Sequence, residues 1–148
     1  MLDKWDYRFM NIAREVSLWS KDPSTKVSAV AVKDKRILGT GFNGFPAGIA
    51  DTEERLNNRE LKYPLIVHAE MNLLCNLLYH GVSPKGATLY VYGLPVCGDC
   101  IKSVIQSGIN RIVIQSKVDP KWREQWDKIS ALMCEEVGIK VEFMENIV

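Results

Sequence analysis

With 148 residues, 47% of them hydrophobic and 25% charged, the chain fits one globular domain that folds without disulfides or a structural metal. Lys and Arg number 19 against 18 Asp and Glu, for a net charge of +1; that balance excludes the basic stripe that a nucleic-acid polymer requires. No apolar run approaches the roughly 18 residues of a membrane span, and the N-terminal MLDKWDYRFMNIAREV lacks the unbroken apolar segment of a secretory leader, so a cytoplasmic protein with reduced thiols is expected.

No repeat, low-complexity tract or Pro/Ser-rich linker divides the sequence, which predicts a single domain over 1–148. Trp5, Phe9, Ile12, Val16 and Trp19 recur at steps of three and four and predict a helix ending near Ser20. VSAVAV (27–32) reads as a strand covered on both faces, KDKR as a turn and ILGTGF (37–42) as the returning strand. Residues 43–64 are polar and long for an inert connection, and predict a functional loop with a helical turn inside it. In HAEMNLLCNLLYHG (68–81), Met71, Leu74, Cys75 and Leu78 mark one helix face, and Gly81 is placed to stop it. ATLYVY (87–92) is a strand, a helix follows from about Cys97, and RIVIQ (111–115) is a further buried strand. Trp122, Trp126, Ile129, Met133 and Val137 define a last helix face before the alternating strand IKVEFM (139–144). The order α, β, β, α, β, α, β, α, β predicts a three-layer α/β/α sandwich around a five-stranded mixed sheet.

Four residues on two of these helix starts carry the chemistry. His68 and Glu70 open one helix, and Cys97 and Cys100 open another directly after a strand. In a reduced compartment a Cys-x-x-Cys pair favours metal binding or catalysis over a structural bridge. His68, Cys97 and Cys100 supply the three nitrogen and sulfur ligands of a catalytic zinc that keeps its fourth position for water. Two thiolates cancel the ion's charge and acidify that water less, so a nearby base gains importance, and Glu70 is placed to be it. His-x-Glu with a later Cys-x-x-Cys is the pattern of zinc deaminases that act on cytosine or adenine rings. Cys75 and Cys134 fall on or near apolar helix faces and read as core residues, and His80, beside Gly81, reads as a helix-end contact.

Beyond those motifs, SKDPSTKVSAVAV (20–32), GFNGFPAG (41–48), Asp51, KYPLIVHAEMN (62–72), GATLYV (86–91), CGDC (97–100) and IQSGINRIV (105–113) follow one another as in a known family. The sequence resembles the deoxycytidylate (dCMP) deaminases of the cytidine deaminase superfamily over most of its length. The resemblance implies that zinc-activated water attacks C4 of cytosine while Glu70 carries its proton to N3 and then to the departing amine, giving dUMP and ammonia. It implies a sugar contact from Asn43, the backbone N–H of Ala69 beside the base edge, and a carbonyl ahead of Cys97, from Leu94 or Pro95, for the cytosine amino group. It also implies a homohexamer, and dCTP and dTTP as effectors near Asn43, Gly44 and Phe45. Lys21, Lys26, Arg55, Arg59 and Lys62 read one by one as solvated surface charges, and their stretch, with Ser24 and Thr25, is the place to look for a phosphate contact.

Three positions depart from the family pattern. Ser28 stands where relatives most often have glycine and is expected at the floor of the substrate pocket. Ala47 replaces a basic residue, and Val96 intervenes between Pro95 and Cys97. An alternative substrate, dCTP or a 5-modified dCMP, stays open, as does a non-catalytic zinc module that binds nucleotide. Glu70 argues against the latter, because a purely structural site has no use for that carboxylate.

Overall fold

The structure, a computed structural model, describes residues 1–117 and 119–147. Five strands form one mixed sheet in the order β2-β1-β3-β4-β5: β1 (Ser28–Lys33), β2 (Arg36–Phe42), β3 (Thr88–Gly93), β4 (Arg111–Ser116) and β5 (Lys140–Phe143). β1 runs antiparallel to both β2 and β3, whereas β3, β4 and β5 are parallel. Parallel neighbours require crossovers, and helices supply them. The hairpin between β1 and β2 turns on Asp34 and Lys35, both with positive φ (52° and 60°), as a tight primed turn demands.

Helix α1 (Lys4–Ser17) covers one face of the sheet. It opens with a capping box, in which Asp3 accepts from the backbone of Trp5 and Asp6 while Asp6 accepts from that of Asp3. Phe9, Met10 and Ala13 pack there on Val30, Val32, Tyr90 and Val113. The helix stops three residues before Ser20, and Ile12 and Trp19 are exposed; the inward face is Phe9, Met10, Ala13 and Val16.

The opposite face carries α4 (Ala69–His80), α5 (Gly98–Gln106) and the C-terminal helix. Their side chains meet Ala29, Ala31, Leu89, Val91, Ile112 and Ile114 in the larger core. The predicted three-layer sandwich is what forms, with three differences in detail. The polar segment holds two short helices, α2 (Glu53–Asn57) and α3 (Arg59–Leu65). On α4 the buried residues are Ala69, Glu70, Leu73 and Leu77, while Cys75 and Leu78 of the expected face are exposed. The last helix is α6 (Pro120–Gln125) and α7 (Ala131–Val137) joined by a π-helical turn, Trp126–Ser130, and leaves Ile129 and Val137 exposed. Cys134 is buried as expected. Among the described residues, no helix is long and apolar enough to cross a membrane.

The core places the site through one close approach. A Cβ on Gly41 of β2 would stand 2.3 Å from the Leu73 backbone N and 2.6 Å from the Ala69 carbonyl. Only glycine lets the strand lie against the first turn of α4, the turn that carries Glu70.

Candidate active site

A cavity of about 850 Å³ opens at the ends of β1 and β3, between the N-termini of α4 and α5. His68 is the N-cap residue of α4 and makes no side-chain cap, which leaves its imidazole free to face α5. Cys97 is the N-cap of α5, and its sulfur accepts from the Cys100 backbone N–H at 3.4 Å. His68 Nδ1 lies 3.4 Å from each of the two sulfurs, and all three candidate ligand atoms lie within 4.8 Å of one another.

This donor set fits zinc. Ordinary Zn–S and Zn–N bonds at a tetrahedral angle separate nitrogen from sulfur by about 3.6 Å, close to the spacing seen. The Cys97 thiol is held down to about 4, by its hydrogen bond with Cys100 first and, against the cost of burial, by His68. The Cys100 thiol is pushed up by the same bond and by burial, and His68 is raised chiefly by its bond to Cys97. Cys97 therefore favours the thiolate, the form in which sulfur binds a borderline-soft ion.

Glu70 lines the same cavity at 4% exposure. Burial, reinforced by the charge of Cys97, outweighs its own backbone hydrogen bond and the His68 charge and pushes its carboxyl up to about 7. Its carboxylate forms no ion pair among the described residues. A carboxyl so placed exchanges a proton near neutral pH, as general acid–base work requires. Ala69 is fully buried at the first position of α4, where the helix leaves its N–H without an intrahelical partner.

Asn43 lines the cavity and is a hub of the loop that precedes it. Its Oδ1 accepts from Val27 N at 2.9 Å, and its Nδ2 donates to Thr25 O at 2.9 Å and to Asp22 Oδ2 at 3.4 Å. Gly44 exchanges backbone hydrogen bonds with Val67, which ties its loop to the residue before His68; neither Gly44 nor Phe45 lines the cavity. Pro95 does line it. Lys26 is exposed and bonds back to the Ser20 carbonyl, away from the cavity. Ser28, expected at the pocket floor, lies on the α1 side instead: the strand alternation turns its hydroxyl to the Ala13 carbonyl. The residue is fully buried and does not line the cavity.

Two groups on the wall escape a reading of the sequence. Lys62, which reads as a solvated surface charge, is 6% exposed; its Nζ lies 3.2 Å from Asp22 Oδ1 and 3.4 Å from Ser24 Oγ. The Asp-Pro-Ser-Thr turn was the available signal, since Asp22 accepts from the backbone of Ser24 and Thr25, but nothing local announces its lysine partner 40 positions away. The second group is Trp122, Gln125, Trp126 and Ile129 of the C-terminal helix, which also line the cavity.

Residues 3–116 match the family described as the cytidine and deoxycytidylate deaminase zinc-binding region. An uncharacterised deaminase of Aliivibrio fischeri is 35% identical over 147 residues, covering 97% of this chain and 96% of its own length. Human deoxycytidylate deaminase is 36% identical over 121 residues, 76% of this chain and 65% of that longer protein. Among solved structures, the dCMP deaminase of cyanophage S-TIM5 in complex with dCMP and dUMP superposes with a TM-score of 0.78 at 27% identity, over 97% of this chain and 99% of the other. The zinc-ligand geometry, the mixed sheet and these likenesses agree, and the chain belongs to the cytidine and deoxycytidylate deaminase family of zinc-dependent hydrolases.

Proposed function

We propose that this protein deaminates dCMP to dUMP and ammonia, with His68, Cys97 and Cys100 as zinc ligands and Glu70 as the proton carrier. The observation that carries the reading is Glu70 itself, a buried carboxyl pushed up to about 7 in the same cavity as the three ligands. The likeness to a structure that holds both dCMP and dUMP supports the choice of nucleotide.

His68, Cys97 and Cys100 would hold zinc, which would supply an acidified water for attack on the ring. Glu70 would take one proton from that water and pass it to N3 as the oxygen bonds to C4, then carry the second proton of that oxygen to the amine, which leaves as ammonia while the C4 carbonyl forms. The Ala69 N–H at the helix start is positioned for the base edge, and Pro95 or Leu94 offers a carbonyl to the amino group. Asn43 faces the sugar with the remaining lone pair of Oδ1, its N–H donors being committed to Thr25 and Asp22. Arg59, Lys62 and Lys121 are the cavity's cations and the groups available to a 5′-phosphate. The reading extends to a cytoplasmic homo-oligomer, a hexamer, since Leu78 and Tyr79 project from α4 more than four-fifths exposed. It extends also to dCTP and dTTP acting at Asn43, Gly44 and Phe45, whose link through Val67 reaches His68.

A cavity of this volume also has room for further phosphates or a substituent on the ring, which favours dCTP or a 5-modified dCMP as the second reading. The test is turnover of dCMP, dCTP, cytidine and 5-methyl-dCMP by one zinc-replete preparation, with and without the two effectors. The expected result is dCMP first; absence of turnover on all four with zinc still bound rejects the enzyme.

A further inference from the structure

Leu94, Pro95 and Val96 connect β3 to the first metal-site cysteine, and all three line the cavity. Their carbonyls are not equivalent. That of Val96 accepts a hydrogen bond from Ser130 Oγ at 2.8 Å, from 34 positions along the chain. The carbonyls of Leu94 and Pro95 accept from no donor among the described residues. Val96 and Ser130 are each 1% exposed. Water therefore does not compete for this bond, and removing the hydroxyl leaves a buried carbonyl unpaired.

Ser130 reaches Val96 through an irregularity. The C-terminal helix passes from α to π geometry over Trp126–Ser130 before resuming. A π turn accommodates an extra residue, and such turns gather at functional sites. Here it sets Trp126, Ile129 and Ser130 against the metal loop. Ile129 Cγ2 lies 3.0 Å from where a Cβ on Gly98 would stand, so the residue after Cys97 has room only for hydrogen unless Ile129 moves. Trp126 anchors the turn to the sheet, its ring edge-on to Phe143 of β5 with centroids 5.7 Å apart. Two independent contacts thus brace the Cys-x-x-Cys turn from a segment that lies beyond the family match at residues 3–116.

We propose that the π turn positions the metal loop, with Ser130 as its positioning residue and Ile129 as the second brace. The Ser130 hydroxyl draws the Val96 carbonyl away from the cavity and fixes the peptide that carries Cys97, so that of the three loop carbonyls only those of Leu94 and Pro95 are left for the leaving amino group. The role in holding Cys97 is independent of which nucleotide is deaminated; the choice of carbonyl rests on the proposed deamination.

The experiment compares the zinc-loaded wild type with Ser130→Ala and Ile129→Ala. Three quantities are read: the rate of zinc loss to a chromogenic chelator, the thiolate-to-metal and ligand-field bands after cobalt substitution, and kcat and KM for dCMP. Ser130→Ala is expected to lose zinc about 10–100-fold faster and to lose kcat by a similar factor, with little change in KM. Its cobalt bands shift, which a change in global stability alone does not produce. Ile129→Ala, at a half-exposed position, is expected to shift the same bands with a smaller change in chelator rate, and it decides the matter if Ser130→Ala does not fold. A folded Ser130→Ala with wild-type chelator rate and cobalt spectrum overturns the proposal, as does an unaltered spectrum in Ile129→Ala when Ser130→Ala is unfolded. Should the wild type fail to deaminate dCMP while these bands and rates move as expected, the substrate assignment falls and the positioning role stands.

Discussion

Asp6 and Glu70 are both shut off from solvent, 3% and 4% exposed, on opposite faces of one sheet, but Glu70 lies deeper in the protein and their carboxyls are driven in opposite directions. At Asp6 burial raises the carboxyl, but the bonds from Arg111 and Tyr90 and from the Asp3 backbone outweigh it and hold the group at about 2. Arg111 donates to both oxygens, at 2.8 and 3.0 Å, and Tyr90 Oη donates to Oδ1 at 2.6 Å. Glu70 has burial without such partners and stands at about 7. Low exposure alone therefore does not set the state of a carboxyl; depth raises it, and the committed hydrogen-bond donors around it lower it. One face of the sheet uses a buried carboxylate to pin α1 to β3 and β4, and the other holds a buried carboxyl with no such partners beside the metal-ligand cluster.

Replacing each carboxyl's distinguishing feature should separate the two roles, and the largest effect is expected at Glu70. Glu70→Gln preserves shape and removes the proton carrier, so turnover should fall by about 10³–10⁴-fold, near the upper end of general acid–base contributions, with zinc content unchanged. Its effect on stability has the opposite sign to a core lesion. A carboxyl whose folded pKa is raised destabilises the fold increasingly as pH climbs from the unfolded value through the folded one. Metal-free Glu70→Gln should therefore unfold at higher urea than the metal-free wild type above about pH 7. A Glu70→Gln protein with wild-type turnover would erase the contrast between the two faces.

Arg111→Met attacks the other face. It leaves Asp6 buried with a carboxylate that has lost its cation, a change that costs about 2–3 kcal/mol here, below the usual 3–5 because the Arg111 side chain keeps some contact with solvent. Urea unfolding at pH 7 should show that loss, while kcat of the folded fraction stays within about twofold, since neither Asp6 nor Arg111 lines the cavity. A large fall in kcat would mean that the α1 face is coupled to the site.

What could be read in the sequence follows the same division between chemistry and packing. The cluster of His68, Cys97 and Cys100 with Glu70 in the same cavity was legible because few residue types bind metal, and helix starts after strands are easy to place. The face of α4 was not. AEMNLLCNLLYH is apolar over much of its circumference, and spacing alone fits the Met71, Leu74 and Leu78 stripe as well as the Leu73 and Leu77 stripe. Gly39 and Gly41 of β2 decide between them: a Cβ on Gly39 would lie 2.8 Å from Leu77 Cδ2, so the strand edge offers grooves only where Leu73 and Leu77 pack. Cys75 is turned outward by the same choice. Lys62 was misread for a related reason, because its buried ion pair depends on where α3 docks rather than on its neighbours. The π turn depends on a single extra residue of register, and no spacing rule carries that.

The finest test of the comparison is Tyr90→Phe, which trims one donor from Asp6 and leaves Arg111 in place. Because the folded carboxyl of Asp6 sits at about 2 and the unfolded one near 3.8, its stabilisation is fully present above about pH 4 and is lost as pH falls toward 2. In the wild type this contributes on the order of 2 kcal/mol across that window. Removing the tyrosine hydroxyl should cost about 1 kcal/mol at neutral pH and raise the Asp6 carboxyl, so the acid limb begins to flatten at a higher pH. Urea unfolding at half-unit steps from pH 2 to 6 measures both quantities. An acid limb identical to the wild type's would mean that Arg111 alone sets Asp6, and that what distinguishes the two buried carboxyls is one cation rather than a count of donors.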